Sequence, residues 1–161
     1  MAATDDVYWR IKQAVAAKIV SLNLEGGDLG NGQGTLEDLG SNVYVQMLPD
    51  ASNIKFPCVL VTSEGEKEEP TGGTTEHRDM WRPVRVFIAD RVSQRFLESE
   101  PFYSDWRNTI YRAFHFQKLD GVNEVRGCMI VPEVIYDSKM AQYQFIVSGQ
   151  VLRFYCQETR R

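Results

Sequence analysis

The sequence has no long hydrophobic run, and its longest apolar stretches span only a few residues, as in Cys58-Val59-Leu60-Val61. A helix needs about 20 consecutive apolar residues to cross a bilayer, so we expect no membrane span. The opening residues Met-Ala-Ala-Thr-Asp-Asp lack the basic start and the apolar middle of a secretory signal. Export by that route is therefore not expected either.

Histidine and cysteine are both scarce. Neither of the two histidines, His77 and His115, forms one of the short spacings with cysteine or carboxylate residues that are typical of zinc sites, so we predict no metal site. Cys58, Cys128 and Cys156 each lie in an apolar, strand-like segment, which predicts buried free thiols rather than disulfides. A Cys–His nucleophilic pair stays open as an alternative, because such partners need only meet in space. Otherwise we predict no catalytic residue and no cofactor.

Positive charge is also in deficit, with 18 Lys and Arg against 22 Asp and Glu and a net charge of −4. Nucleic-acid-binding proteins usually display a basic face, so binding of DNA or RNA by the whole surface is not expected. Hydrophobic residues at 43% and aromatic residues at 11% are enough for a folded core. The length of 161 residues fits a single domain, 1–161.

The first segment of the chain has the pattern of an amphipathic helix over about residues 4–24. Its apolar residues recur at helical steps from Val7 to Leu22, behind a capping residue, Thr4. Glycine and polar residues then dominate residues 26–40 and 64–80, which predicts two flexible loops.

The remaining segments read mainly as β-strands with one further helix. That helix is predicted to have Pro101 in its first turn and to end near Lys118. Pro83 cannot donate a ladder hydrogen bond, so its strand is predicted to begin there or to lie at a sheet edge. The order of elements favours an α+β fold, with a largely antiparallel or mixed sheet, two main helices on one face and a long hairpin loop. The predicted strands cover residues 43–47, 56–62, 84–89, 128–131, 134–136 and 143–155.

Two groups of residues are candidates for contacts with other molecules. An acidic run in the second loop, which can line a channel or dock on a partner, contains Glu64, Glu66, Lys67, Glu68 and Glu69. The helices also carry aromatic residues on more than one face, and aromatic residues are enriched at interface centres. Tyr8, Trp9, Tyr103 and Tyr111 are accordingly predicted to make subunit contacts.

Four segments, taken together with the order of elements, carry a resemblance to a known family. They are Phe56-Pro57-Cys58-Val59-Leu60-Val61, Thr71-Gly72-Gly73-Thr74-Thr75, Arg85-Val86-Phe87-Ile88 and Gly149-Gln150-Val151-Leu152-Arg153-Phe154. The overall pattern resembles tail terminator and other neck, or head-tail joining, proteins of tailed bacteriophages. The resemblance spans most of the chain.

The resemblance implies a structural virion protein rather than an enzyme. Such a protein forms a homohexameric ring that caps the tail tube and contacts the head connector, while DNA passes through the lumen. Its partners would be further copies of itself, the tail tube protein and the connector or stopper protein, and it would be assembled in the bacterial cytoplasm. A head-completion or stopper protein of the same neck is an alternative, because residues 26–40 form a longer loop than the family pattern has. An unrelated protein-binding module is a third possibility.

Overall fold

The computed structural model describes residues 6–45, 54–65, 67–68, 74, 76–91, 96–132, 136 and 145–159. Helix α1 spans Val7–Ser21, and the carboxylate of Asp6 caps it by accepting the N–H of Trp9 at 2.8 Å. The helix is thus shorter than the predicted 4–24, and Asp6 rather than Thr4 is its capping residue. Thr4 lies outside the described residues.

Helix α2 spans Phe96–Phe114, so both of its predicted ends were wrong. Pro101 lies inside the helix and is exposed, where its missing N–H costs one helical hydrogen bond close to the helix start. The helix stops before Lys118 because Phe116 adopts a positive φ of 57°. The N–H of Phe116 instead donates to the carbonyl of Cys128 at 2.9 Å.

The strands form one large sheet and one two-stranded sheet. In the large sheet the order is β3-β4-β6-β8-β7, and β5 pairs with the first part of β6. Its pairs are antiparallel except β3 with β4, which run parallel. The strands are β1 Gly27–Asp28, β2 Thr35–Leu36, β3 Val43–Val45, β4 Cys58–Ser63, β5 Lys67–Glu68, β6 His77–Arg91, β7 Val125–Pro132 and β8 Phe145–Thr159.

Both helices pack on the same face of the large sheet, which confirms the predicted α+β architecture. Alternate residues of a strand point to opposite faces, and the residues of the long strands β6 and β8 that belong to this core all lie at even-numbered positions. Trp106, Ile110 and Phe114 of α2 meet Phe154 of β8, and the rings of Phe114 and Phe154 lie 6.5 Å apart in an edge-on arrangement. Helix α1 contributes Tyr8, Ile11, Val15 and Ile19 to the same core.

Pro83 lies in the middle of β6, between β4 and β8, so the prediction that it begins a strand or lies at an edge was wrong. The reason is a break in the neighbouring strand: β4 ends at Ser63 and β5 begins at Lys67. At this break the ladder needs no N–H from residue 83. The Tyr8 hydroxyl occupies it, donating to the Pro83 carbonyl and accepting the N–H of Glu64 at 3.1 Å.

Residues 26–40 form an ordered hairpin rather than the flexible loop predicted. Strands β1 and β2 pair there, and Leu29, Leu36 and Leu39 are buried. The indole N–H of Trp106 also donates to the carbonyl of Glu25 at 2.9 Å. Because this range is rich in glycine, these three leucines were not identified from the sequence as buried residues.

The second predicted loop, 64–80, is a hairpin whose arms are β5 and the beginning of β6. Lys67 pairs with Trp81, and Glu68 pairs with Met80. The predicted long hairpin is therefore present, and β6 begins at His77, within the range expected to be loop. Most of the tip lies outside the described residues.

Candidate functional site

The two faces of the large sheet have different surroundings. One is covered by α1 and α2, as described above. At one end of the opposite face, the segment with Ile54 and Phe56 packs on Cys58, Leu60 and Ala89. Over the rest of that face, no helix or additional strand from the described part of the chain packs on the side chains.

This uncovered region carries aromatic and arginine side chains, and we call it the aromatic–arginine patch. It lies on adjacent strands: Trp81 pairs with Tyr155 and Pro83 pairs with Arg153, while Met129 pairs with Arg153 from the other side. The patch consists of Trp81, Arg85, Arg126, Met129, Arg153 and Tyr155.

The aromatic part of the patch is a ring pair. The centroids of Trp81 and Tyr155 lie 5.3 Å apart with an interplanar angle of 57°. Both side chains are half-buried, and Met129 nearby is 45% exposed. Tilted rings at this distance attract each other beyond their buried area, so the pair holds its shape in the free chain.

Charged side chains of both signs lie on the same face as this ring pair: Asp79, two positions before Trp81, is 8% exposed, and three arginines lie on the neighbouring positions and strands. Arg85 binds Glu64 at 2.8 Å and lies over the ring of Phe87, with the guanidinium 5.6 Å from the ring centroid. Arg153 and Arg126 are exposed, and Arg126 donates to Gln157 at 3.4 Å. Tryptophan, tyrosine and arginine together are the composition typical of the energetic centre of a protein interface.

Two residues predicted to make subunit contacts lie instead in the core of the chain. Tyr8 is 7% exposed, and its hydroxyl is bound at the break between β4 and β5. Tyr103 is 4% exposed, and its hydroxyl donates to Asp90. Burial, followed by this hydrogen bond, raises the pKa of Tyr103. Both rings are used inside the fold, which corrects their assignment as surface contacts.

The other two predicted contact residues differ from each other. Trp9 is 39% exposed on α1, with the Lys12 ammonium group 5.2 Å from the ring centroid. Tyr111 is half-buried against the core, and its ring stacks on His115 at 4.5 Å. Trp9 therefore remains available for a contact, whereas Tyr111 presents only part of its ring.

The acidic run divides between described and undescribed residues. Glu64 is tied to Arg85, as noted above. Lys67 and Glu68 form β5, while Glu66 and Glu69 lie outside the described residues. The described residues thus connect the beginning of this run to the border of the aromatic–arginine patch.

The cysteines are free and buried in strands, as predicted. Burial is the largest cause that raises the pKa of each thiol, to about 12 in Cys58, Cys128 and Cys156. The thiolate is the nucleophilic form of cysteine, so at neutral pH these side chains have almost none of the reactive species.

His115 has a structural contact in the fold. Its Nδ1 accepts the backbone N–H of Ile130 at 3.2 Å, which joins the end of α2 to the edge strand β7. Among the described residues, no group of three or more His, Cys, Asp or Glu side chains is arranged to hold a metal ion. No helix in the described ranges is long and apolar enough to cross a membrane.

The sequence reasoning missed the aromatic–arginine patch, although a signal for it was present. Trp81 and Arg85 are four positions apart and therefore lie on the same face of β6. Arg153 and Tyr155 are two positions apart and lie on one face of β8. That arginine and tyrosine stand opposite the buried Leu152 and Phe154. Only the pairing register showed that the two sets meet.

Comparison of the chain with protein-family models and with curated protein sequences gave no match.

Proposed function

We propose that the chain is a structural subunit of the neck of a tailed bacteriophage, a tail terminator that assembles into a homohexameric ring. The single observation that carries the assembly part of this proposal is the Trp81–Tyr155 ring pair, on a part of the sheet face where no helix or further strand of the described residues packs. The assignment to the phage neck and tail is based on the resemblance described in the sequence analysis.

The position of the patch suits a permanent contact better than a transient one. It lies on β6 and β8, each 15 residues long and paired along their whole length. Such a platform loses little conformational freedom on association, because its backbone is already ordered. Trp81 and Tyr155 keep part of their apolar surface exposed, and burying that remaining surface would favour association.

In the proposed ring, the acidic run Glu64–Glu69 lies at the lumen or at a docking surface for the tail tube. A negative lumen repels the phosphate backbone, so DNA slides through without adhering. Glu64 shares its charge with Arg85, and this role therefore falls mainly on Glu66, Glu68 and Glu69. The partners in this proposal are further copies of the chain, the tail tube protein and the head connector or stopper protein.

The experiment is a tube-capping assay with the tail tube protein encoded in the same genome. We expect the purified chain to form rings in negative-stain images and native mass spectra. Added to growing tubes, it should attach at one end and stop elongation. A matched control is the chain with Phe116→Ala, which removes an aromatic side chain that is 75% exposed but outside the patch, and which should cap tubes normally.

Two results would count against the proposal. A chain that stays monomeric at all accessible concentrations would contradict ring formation. Rings that bind connector proteins but leave tube growth unchanged would reject the terminator role and favour a head-completion or stopper protein.

A further inference from the structure

The β1–β2 hairpin has a charge opposite to that of the aromatic–arginine patch. No lysine or arginine occurs between Lys18 and Lys55. Within that span the hairpin and its base present four exposed carboxylate residues, Glu25, Asp28, Glu37 and Asp38. The patch, in contrast, carries two exposed cations, Arg126 and Arg153, while Arg85 is paired with Glu64 and the buried Asp79 lies beside Trp81.

The four carboxylates have two different roles within the chain. Asp28 accepts the N–H of Gly30 at 2.9 Å, and Asp38 accepts the N–H of Gly26 at 2.8 Å, so both hold the hairpin in shape. Glu25 and Glu37 make no side-chain hydrogen bond or ion pair within the described part of the chain. Their charges are thus available to another molecule.

The hairpin is shaped to lie against a flat surface. Its turn passes through residues with positive φ, Gly30 at 74° and Gly32 at 72°, and a Cβ atom at either position would meet nothing within 4 Å. The tip therefore has little side-chain bulk and stands clear of its own subunit. The buried leucines at its base anchor it, so it is already ordered before any contact forms.

The hairpin and the patch lie on opposite layers of the molecule. The base of the hairpin packs on α2, where a Cβ atom on Gly27 would lie 3.3 Å from the ring of Phe102. The patch lies on the face of the sheet away from α2. A contact between two different surfaces of identical copies is heterologous, and it generates a ring when the rotation closes.

We infer that the aromatic–arginine patch of one copy binds the acidic β1–β2 hairpin of the next copy, head to tail around the ring. This inference rests on the proposed function for the closure of the ring. It specifies which two surfaces of neighbouring copies are in contact and which charges orient that contact. Like charges brought together at such a contact repel each other, so charge reversal on either surface alone should weaken it strongly.

The test is a charge-swap experiment with two variants of the full chain. One carries Glu25→Lys and Glu37→Lys on the hairpin, and the other carries Arg126→Glu and Arg153→Glu on the patch. Each alone should self-associate at least about a hundredfold more weakly than wild type in sedimentation velocity. Mixed in equal amounts, the two should form rings again, because the two new lysines of one hairpin then face the two new glutamates of a patch, and the unchanged hairpin of the other variant faces an unchanged patch.

A third variant controls for net charge. Glu100→Lys with Asp120→Lys reverses two exposed carboxylates outside the hairpin and should assemble like wild type. Far-UV circular dichroism and thermal unfolding of every variant should match wild type, because the substituted side chains are exposed.

The outcomes separate the two proposals. If wild type is monomeric, the proposed function fails. If wild type forms rings and both reversed variants also form them, or if the mixture does not restore them, the ring stands and the hairpin–patch contact is wrong. Restoration by mixing, with neither variant assembling alone, is the supporting result.

Discussion

The two faces of the large sheet place arginine side chains in different surroundings. On the face covered by helices, Arg82 is 4% exposed and makes two hydrogen bonds to Glu158, at 3.1 and 2.8 Å. Arg107 of α2 reaches the same layer and donates to Ser148 at 2.7 Å. On the uncovered face, Arg153 is exposed and makes no side-chain hydrogen bond within the described residues.

The contrast is instructive because Arg82 and Arg153 lie on neighbouring strands. A charge taken out of water must be paired, since an unpaired buried ion costs several kcal/mol. The covered face meets that requirement internally and so belongs to the fold. The uncovered face leaves cations and aromatic rings in a partly hydrated state, which is the composition of a surface that gains by binding. In the proposed assembly, one strand pair thus supports both stability and association.

The largest expected effect concerns tryptophan on the two sides of the sheet. Trp106→Ala should reduce the free energy of unfolding by about 4 kcal/mol, because a fully buried ring leaves a cavity and a lost hydrogen bond. Trp81→Ala should reduce it by only about 2 kcal/mol, because this partly exposed ring loses one aromatic contact and part of its buried apolar area but leaves no closed cavity. Urea unfolding at concentrations that keep the chain monomeric measures both.

These two variants test whether the two sheet faces contribute differently to the stability of the chain. Equal losses of stability would mean that Trp81 contributes to the core as much as Trp106 does. The two faces would then not divide stability from association as described.

A smaller effect concerns the thiol of Cys128 on the covered face. Burial raises its pKa from an ordinary 9.0 to about 12, with a neighbouring Lys18 opposing the shift. Below pH 9 both the folded and the unfolded chain keep the proton. Above it the unfolded chain releases the proton first, so the free energy of unfolding falls as pH rises towards about 12, by at most about 1.4 kcal/mol per pH unit.

The check is the slope of unfolding free energy against pH in wild type and in Cys128→Ala. The variant should show a shallower fall above pH 9 and an unchanged slope between about pH 6 and 8. Identical slopes above pH 9 would show that the folded chain does not protect this thiol.

Features set by local pattern were predictable from the sequence. The helical repeat of Ile11, Val15 and Ile19 indicated the buried face of α1, and the apolar surroundings of the cysteines indicated buried thiols. The succession of strands without helices indicated an α+β fold. Each of these depends on residues close together in the chain.

Features set by strand neighbours were not predictable in the same way. Pro83 is tolerated because the adjoining strand breaks opposite it, and Tyr8 is buried because its hydroxyl fills that break. The leucines of residues 26–40 join the core that both helices line, and the base of their hairpin packs on α2, which is far away in sequence. The aromatic–arginine patch likewise exists only once β6 and β8 are in register.

The measurement that tests the central claim most directly is sedimentation velocity of wild type and Trp81→Ala over a wide range of concentrations. The account predicts a ring for wild type and a monomer of unchanged fold for the variant, with Phe116→Ala still forming rings. A variant that assembles as strongly as wild type would contradict the claim that the aromatic–arginine patch is the subunit interface.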